Sequence, residues 1–383
     1  MLDIDFEAHN QEAAEVWRRF NEGDPIRVPM TLGLSSRFTV LSDDPEKNPD
    51  HITYREYFLD PDVMFRQQLQ HWYWIKHNLL YDAQLGLPDE WSVNVDLQNS
   101  YTQLWHGAEL VFIDGDVPDT PPFLTDENKW QFIEKGPPEP FSGWMGRIWE
   151  YYERFGELAE SYEFHGRPVK VGGIPGAGTD GPFTIACALR GPTELCIDMY
   201  HDPDFYHALM DLIVTATIRR VYAVRERLGR PRESTAWGWA DDSIALLSER
   251  TYRELVMPYH RRLADEFGRE GPNSIHLCGD ATHLFRTIRD EFNVMAFDTG
   301  FPVDHGRLRR ELGPEVRING GPHVELLRTG TPEQVRAETR RILGSGIMEG
   351  GKFVLREGNN LAPGTPPENV AAMYETCKQY GRY

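Results

Sequence analysis

Gly271-Pro-Asn-Ser-Ile-His-Leu-Cys-Gly-Asp280, with Ala281 to Glu291 and Val294 to Asp298 after it, reads as strand, helix, strand. Gly271-Pro272 opens the first strand and Gly279-Asp280 closes it. Side chains alternate faces along a strand, so His276 and Cys278 point the same way. An imidazole beside a thiol at a strand end is half of a zinc donor set, since structural sites take four ligands. A lone buried His with a hydrogen-bonding role, and a lone buried Cys acting as a small apolar group, form the competing reading. Spacing alone leaves both open; the place of the strand in the chain favours the metal.

The same alternation extends outward. Strands are expected at Val169 to Ile174, Thr235 to Ala240, Val316 to Asn319 and Lys352 to Glu357, with helical segments between them. Thr331-Pro-Glu-Gln334 and Thr365-Pro-Pro-Glu368 are capping boxes with Pro at the first helical position. Upstream, Ile26 to Leu32 and Trp91 to Leu97 complete a set of eight. This number of βα units predicts an α/β fold, a (β/α)8 barrel forming one domain over 1–383. Residues 1–25 add an N-terminal helix, and 100–165 form an irregular, Pro-punctuated insertion. Chemistry on such barrels sits at the C-terminal strand ends. Those ends carry Arg37, Asp96, Trp239, Asp241 and Asp242, then His276, Cys278, Asp298, Asn319, Glu357 and Asn359. His323 follows the Val316 strand and is expected at the same mouth.

Composition narrows the function. The net charge of -20 argues against nucleic acid and anionic membranes, which need clustered Lys and Arg. No apolar run approaches the ~18 residues of a membrane helix, and Met1-Leu-Asp-Ile-Asp-Phe6 lacks a secretory pattern, so a soluble, cytoplasmic protein is expected. Gly176-Ala-Gly-Thr-Asp-Gly181 matches GxGxxG, but helices follow it where a dinucleotide fold needs a second strand. Trp237-Gly-Trp239 reads as pocket wall or core.

Gly181-Pro-Phe-Thr184, His276-Leu-Cys-Gly279, Gly330-Thr-Pro-Glu-Gln-Val335 and Ala362-Pro-Gly-Thr-Pro-Pro-Glu-Asn-Val370 resemble the uroporphyrinogen decarboxylase superfamily. The resemblance covers essentially the whole chain and implies a distorted (β/α)8 barrel. It also implies two chemistries. The decarboxylase branch holds substrate carboxylates with two arginines in an N-terminal loop; Gly33-Leu-Ser-Ser-Arg37 keeps one. Its catalytic aspartate corresponds to Asp96, but its tyrosine falls near Ala188 and its C-terminal histidine at Asn359. The methyltransferase branch binds zinc with His-x-Cys and a C-terminal Cys. Here these positions hold His276, Cys278 and Asn359, with Glu357 two residues earlier as a substitute ligand.

The resemblance thus favours a zinc methyltransferase-like enzyme moving a methyl group between a corrinoid carrier protein and a small thiol or related acceptor. Zinc would sit on His276, Cys278 and Glu357, with Asp96 or Asp241 orienting substrate or acting as base. Arg37, Trp239, Asn319, His323 and Asn359 would contact substrate, and Arg37 with Arg317 would hold an anionic group. A metal-free decarboxylase or lyase centred on Asp96 is the second reading. A non-catalytic barrel binding a small molecule or corrinoid protein is the third, and a homodimer is compatible with each.

Overall fold

The computed structural model describes the backbone of residues 1–383 and every side chain except those of Thr179 and Asp180. Nine strands are formed: β1 (Trp91–Val93), β2 (Glu163–Phe164), β3 (Arg167–Val171), β4 (Thr179–Asp180), β5 (Gly238–Ala240), β6 (Asn273–Leu277), β7 (Val294–Thr299), β8 (Arg317–Gly320) and β9 (Phe353–Leu355). From β4 to β9 they pair in chain order and all in parallel. A smaller sheet pairs β3 in parallel with β1 and antiparallel with β2.

Two expected strands take a different form. The Ile26 to Leu32 segment joins the free edge of β9 through a single parallel bridge, Met30 to Leu355. Pro29, without an N–H, only accepts there, from Leu355 at 2.9 Å, while Thr31 donates back to the Leu355 carbonyl at 3.0 Å. The Val169 to Ile174 strand is split: β3 serves β1, residues 172–178 loop out, and β4 serves β5. Hydrogen bonding therefore runs unbroken from Met30 through β9 to β4, and separately between β1 and β3. The pairing itself does not display a closed ring of eight.

Parallel sheets of this kind bury both faces, and the register here separates the two. Trp239, Ile275, Phe297, Ile318 and Phe353 lie side by side across β5 to β9 and are all buried. They face the helical layer, as shown by Phe285 of the helix Thr282–Phe292 stacked on Phe297 at 4.9 Å. The next row, Ala240, His276, Asp298, Asn319 and Val354, must face the opposite way. The insertion is part of a second core. Ile148, Trp149 and Phe155, from its helix Trp144–Ala159, pack with Phe65, Trp91 and Val169 over the smaller sheet.

Buried ion pairs close the sheet edge. Arg27 places Nη2 2.6 Å and Nη1 2.7 Å from the two oxygens of Asp82, which also accept from the Met30 N–H at 2.7 Å and the Tyr374 hydroxyl at 3.2 Å. One carboxylate thus ties the Met30 segment to the last helix, Pro367–Tyr380. Asp82→Ala strands a buried guanidinium and a buried N–H, and is expected to cost about 3–5 kcal/mol. Urea unfolding measures this directly; a loss below about 1 kcal/mol, the size of an exposed pair, contradicts the clamp.

Candidate active site

The inward row meets solvent at the C-terminal ends of β5 and β6. Asp242, His276 and Cys278 converge there, each offering a ligand atom within 4.8 Å of the others. Period two explains the set, because Asp242 continues the inward series Gly238, Ala240, and Cys278 continues Ser274, His276. The Cys278 N–H donates to Asp242 Oδ1 at 2.6 Å, which locks the two strand ends together. The three line a cavity of about 340 Å³, with Arg37, Arg356 and Asn359 on the other walls.

Behind the triad stands an ordered relay. His276 Nδ1 lies 2.7 Å from Asp298 Oδ2, its register partner on β7. A carboxylate only accepts, so Nδ1 carries the proton and Nε2 is left for a ligand. Arg356 Nη1 donates to the same Asp298 oxygen, and its Nη2 holds the Asn359 carbonyl at 3.1 Å and Asn360 Oδ1 at 3.2 Å. Burial pushes Asp298 up, but the His276 hydrogen bond and the Arg356 charge outweigh it and hold the carboxyl below its usual range. Burial likewise opposes charge on His276, yet Asp298 and then Asp242 raise its pKa above the ordinary value. Burial, reinforced by Asp242, pushes the Cys278 thiol up to about 12.

The residues expected from the sequence divide by strand parity. Asp241 points away from the cavity and is fully buried. Its Oδ1 accepts from the Thr184 N–H and hydroxyl, each at 2.7 Å, and its Oδ2 from His260 Nε2 at 2.7 Å. It caps the helix Pro182–Arg190, and Gly181 is glycine because a Cβ there would collide with the Asp241 side chain. Trp239 shares that outward face, stacked on Trp237 at 3.9 Å and packed edge-on to His260 and Phe292. It is core, not pocket wall.

Glu357 is likewise outside the triad. It is fully buried, and its Oε1 accepts the Gly33 N–H at 2.6 Å. Two residues on from Leu355, it continues the outward series of β9, whereas Arg356 continues the inward one. Asp242, from another strand, supplies the carboxylate that the sequence assigned to Glu357. His323 lies on the exposed surface, where its Nδ1 accepts the Glu325 N–H at 2.9 Å and starts the helix Val324–Thr329.

Asp96 does face the mouth, in an adjoining cavity of about 320 Å³ that shares Arg37, Asn99 and Asn360 with the first. Both its oxygens are engaged: Oδ2 by the Ser36 hydroxyl at 2.6 Å, the Tyr57 hydroxyl at 2.9 Å and Gln98 Nε2 at 2.8 Å, and Oδ1 by the Gln98 backbone N–H at 2.8 Å. Its place is that of an organiser for Gln98, which in turn accepts Arg37 Nη2 at 3.2 Å. Asn359 lines the triad cavity with φ 110°, a left-handed backbone that Asn tolerates better than most residues. Asn319 sits deeper, on a second chamber with His276 and Asp298. Arg356 was not among the expected site residues; its parity with Val354 was the available signal.

The uroporphyrinogen decarboxylase (URO-D) family model matches residues 106–380. The chain belongs to the uroporphyrinogen decarboxylase family. Among curated relatives, a methylated-thiol–coenzyme M methyltransferase of Methanosarcina mazei is 32% identical over 52% of this chain and 51% of its own length. A uroporphyrinogen decarboxylase of Geobacter metallireducens is 28% identical over 55% of this chain and 61% of its own. The matches thus span between half and two thirds of these relatives. A solved methyltransferase from Methanosarcina mazei shares the fold over 96% of this chain and 98% of its own, with a TM-score of 0.61 at 16% identity. No helix among the described residues is long and apolar enough to cross a membrane. Family membership brings relatives of both chemistries, so the side chains at the mouth must discriminate.

Parity has a stability consequence. Asp241→Ala orphans two N–H groups and a buried imidazole and is expected to cost about 3 kcal/mol or more, while Asp242→Ala at the cavity wall costs under about 1.5 kcal/mol. Equal urea midpoints for the two variants would contradict the opposed facing.

Burial raises the pKa of Glu357 from 4.5 to about 8, with Oε2 left without a partner. The folded state keeps this proton while the unfolded chain releases it. The contribution to stability is therefore full below pH 4.5 and is lost as pH rises to about 8, at about 1.4 kcal/mol per pH unit. Glu357→Gln is expected to remove that slope from the unfolding free energy; an unchanged slope excludes a buried neutral carboxyl.

Proposed function

We propose that this family member is a metal-dependent methyltransferase that acts on a small thiol. The observation that carries the reading is the Asp242, His276 and Cys278 triad, with Asp298 fixing the imidazole from behind. Carboxylate oxygen, imidazole nitrogen and thiolate sulfur form a borderline-soft donor set that suits zinc, whereas magnesium and calcium favour oxygen alone. Three protein ligands leave a fourth position for substrate, the pattern of catalytic sites. A thiol held near pH 12 by its surroundings also ionises readily only beside a cation. The donors therefore fit the ion.

Zinc bound there would lower the pKa of a substrate thiol so that it reacts as a thiolate. The chain's own residues do the rest. Asp298, anchored by Arg356, keeps the His276 proton on Nδ1 and the ring in place. Asp242 has one oxygen committed to the Cys278 N–H, which orients the other. Arg37, steadied by Gln98 and through it by Asp96, supplies charge on the opposite wall. The methyl donor in this reading is a methylated corrinoid on a partner protein, meeting a closed (β/α)8 barrel of one domain in the cytoplasm. A metal-free lyase would depend on Asp96, whose oxygens are already taken by Ser36, Tyr57 and Gln98.

After zinc loading and dialysis against a mild chelator, wild type is expected to retain about one zinc per chain. Cys278→Ser should retain none, and Asp298→Asn should bind about 10- to 100-fold more weakly. Glu357→Gln should bind like wild type. Zinc-loaded protein should then transfer a methyl group from methylcobalamin to a thiol, and Cys278→Ser should not. A wild type that holds no zinc after loading sinks this function.

A further inference from the structure

Solvent access along the inward face of β5 to β8 rises with distance from the mouth. A site with one opening should show the reverse. The row at the triad, Ala240, His276, Asp298 and Asn319, is half-buried at every position. The next row, Gly238, Ser274, Ala296 and Arg317, lies about 7 Å further from the mouth. Ala296 and Arg317 are again half-buried there, but Gly238 and Ser274 are exposed. Solvent therefore reaches the deeper row from the N-terminal strand ends.

The split of the expected Val169 to Ile174 strand creates the gap. Pairing between β4 and β5 begins only at Trp239, so Gly238 has no strand partner on that side. The loop 172–178 stands off instead, pinned at both ends. The Gly173 N–H donates to Asn94 Oδ1 at 2.6 Å, and Arg220 Nη2 donates to the Gly178 carbonyl at 3.0 Å. Arg220 is fully buried against Tyr101 and Trp105, whose ring centres lie 5.2 and 5.0 Å from its guanidinium carbon, so the anchor is fixed from inside. Between loop and sheet lies a chamber of about 620 Å³, with Ile174, Pro175 and Gly178 on one side and the deeper row on the other. Its upper end shares Ala240 and His276 with the triad cavity. Asp298 holds one flank of the His276 ring, and the register partner on the other flank, Ala240, offers only a methyl group.

We propose that this chamber is a rear entrance to the triad, through which small molecules reach His276 and Cys278 while the mouth is covered. Gly238, Ser274 and Ala296 keep it wide because none carries more than one atom beyond Cβ. In the proposed methyl transfer, the thiol acceptor and its thioether product exchange through the rear while a large methyl donor occupies the front. That division of traffic rests on the methyltransferase reading; the entrance stands on the geometry alone.

The entrance is tested in metal-free full-length protein by labelling Cys278 with methyl methanethiosulfonate, followed by peptide mass spectrometry. Ser274→Leu and Ser274→Trp obstruct the rear, and Asn99→Trp, on the exposed rim shared by both mouth cavities, obstructs the front. Labelling depends on access, and rates over two routes add. Ser274→Trp should slow labelling about twofold alone and about tenfold in the Asn99→Trp background, with Ser274→Leu between. Labelling that Ser274→Trp slows in neither background overturns the entrance. Urea midpoints show which variants are folded; should Ser274→Trp be unstable, Ser274→Leu decides by the same criterion. In zinc-loaded protein, Ser274→Trp should raise KM for 1-propanethiol about threefold, with kcat and KM for methylcobalamin unchanged. An equal rise in both KM values overturns the separate routes. If the rear variants slow labelling but no methyl transfer occurs in wild type, the entrance stands and the methyltransferase reading falls.

Discussion

Asp241 faces outward, and the mouth of the candidate site depends on it. A fully buried carboxylate survives only if its lone pairs are satisfied. Asp241 obtains this from the N-terminus of the helix Pro182–Arg190 on one side and from His260 on the other. His260 in turn is held at Nδ1 by the Tyr252 hydroxyl, 3.0 Å away. This chain of buried hydrogen bonds fixes the end of β5 against two helices. Once Asp241 is fixed outward, Asp242 must point into the cavity beside His276 and Cys278.

The alternation continues around the sheet. Each outward side chain of the central row is large and apolar, and the inward neighbours, Val354 apart, are small or polar. That contrast produces both a sealed helical interface and a hollow interior. The polar row is linked inside by hydrogen bonds that run from His276 to Asp298 to Arg356 to the Asn359 carbonyl, with Asp298 Oδ1 and Arg356 Nε left without a partner among the described residues. Such a network holds donor atoms in place before any ligand arrives, which is what preorganisation requires.

Within the family, one fold carries different reactions, so what differs at the mouth matters more than the shared fold. The C-terminal position at which the resemblance implies a second thiolate is Asn359, whose backbone anchors Arg356. Asp242, just past β5, instead offers a carboxylate beside His276 and Cys278. Exchanging a thiolate for a carboxylate keeps the charge of the donor set while making it harder, so a zinc ion there would be the stronger Lewis acid.

The residues themselves determined the fold class and half of the site. Gly and Pro boundaries, the Thr331 capping box and apolar runs marked the strands and helices from Val169 onward, because these are local preferences. The expected box at Thr365 does not form, and its hydroxyl donates to the Ala362 carbonyl instead. His276 and Cys278 shared a face by spacing alone. What only the tertiary structure decided was which face. Asp241 and Asp242 are adjacent and chemically identical, and Trp239 reads equally as core or pocket wall. The choice came from packing: two stacked indoles fit between sheet and helices, and glycine and alanine were left for the interior. Glu357 and Arg356 exchanged roles for the same reason, since a period-two pattern shifted by one residue inverts every assignment along the strand. Asp298, Arg356 and Arg317 reached their places through the register between strands, which involves partners far apart in the chain and is set only when the sheet assembles.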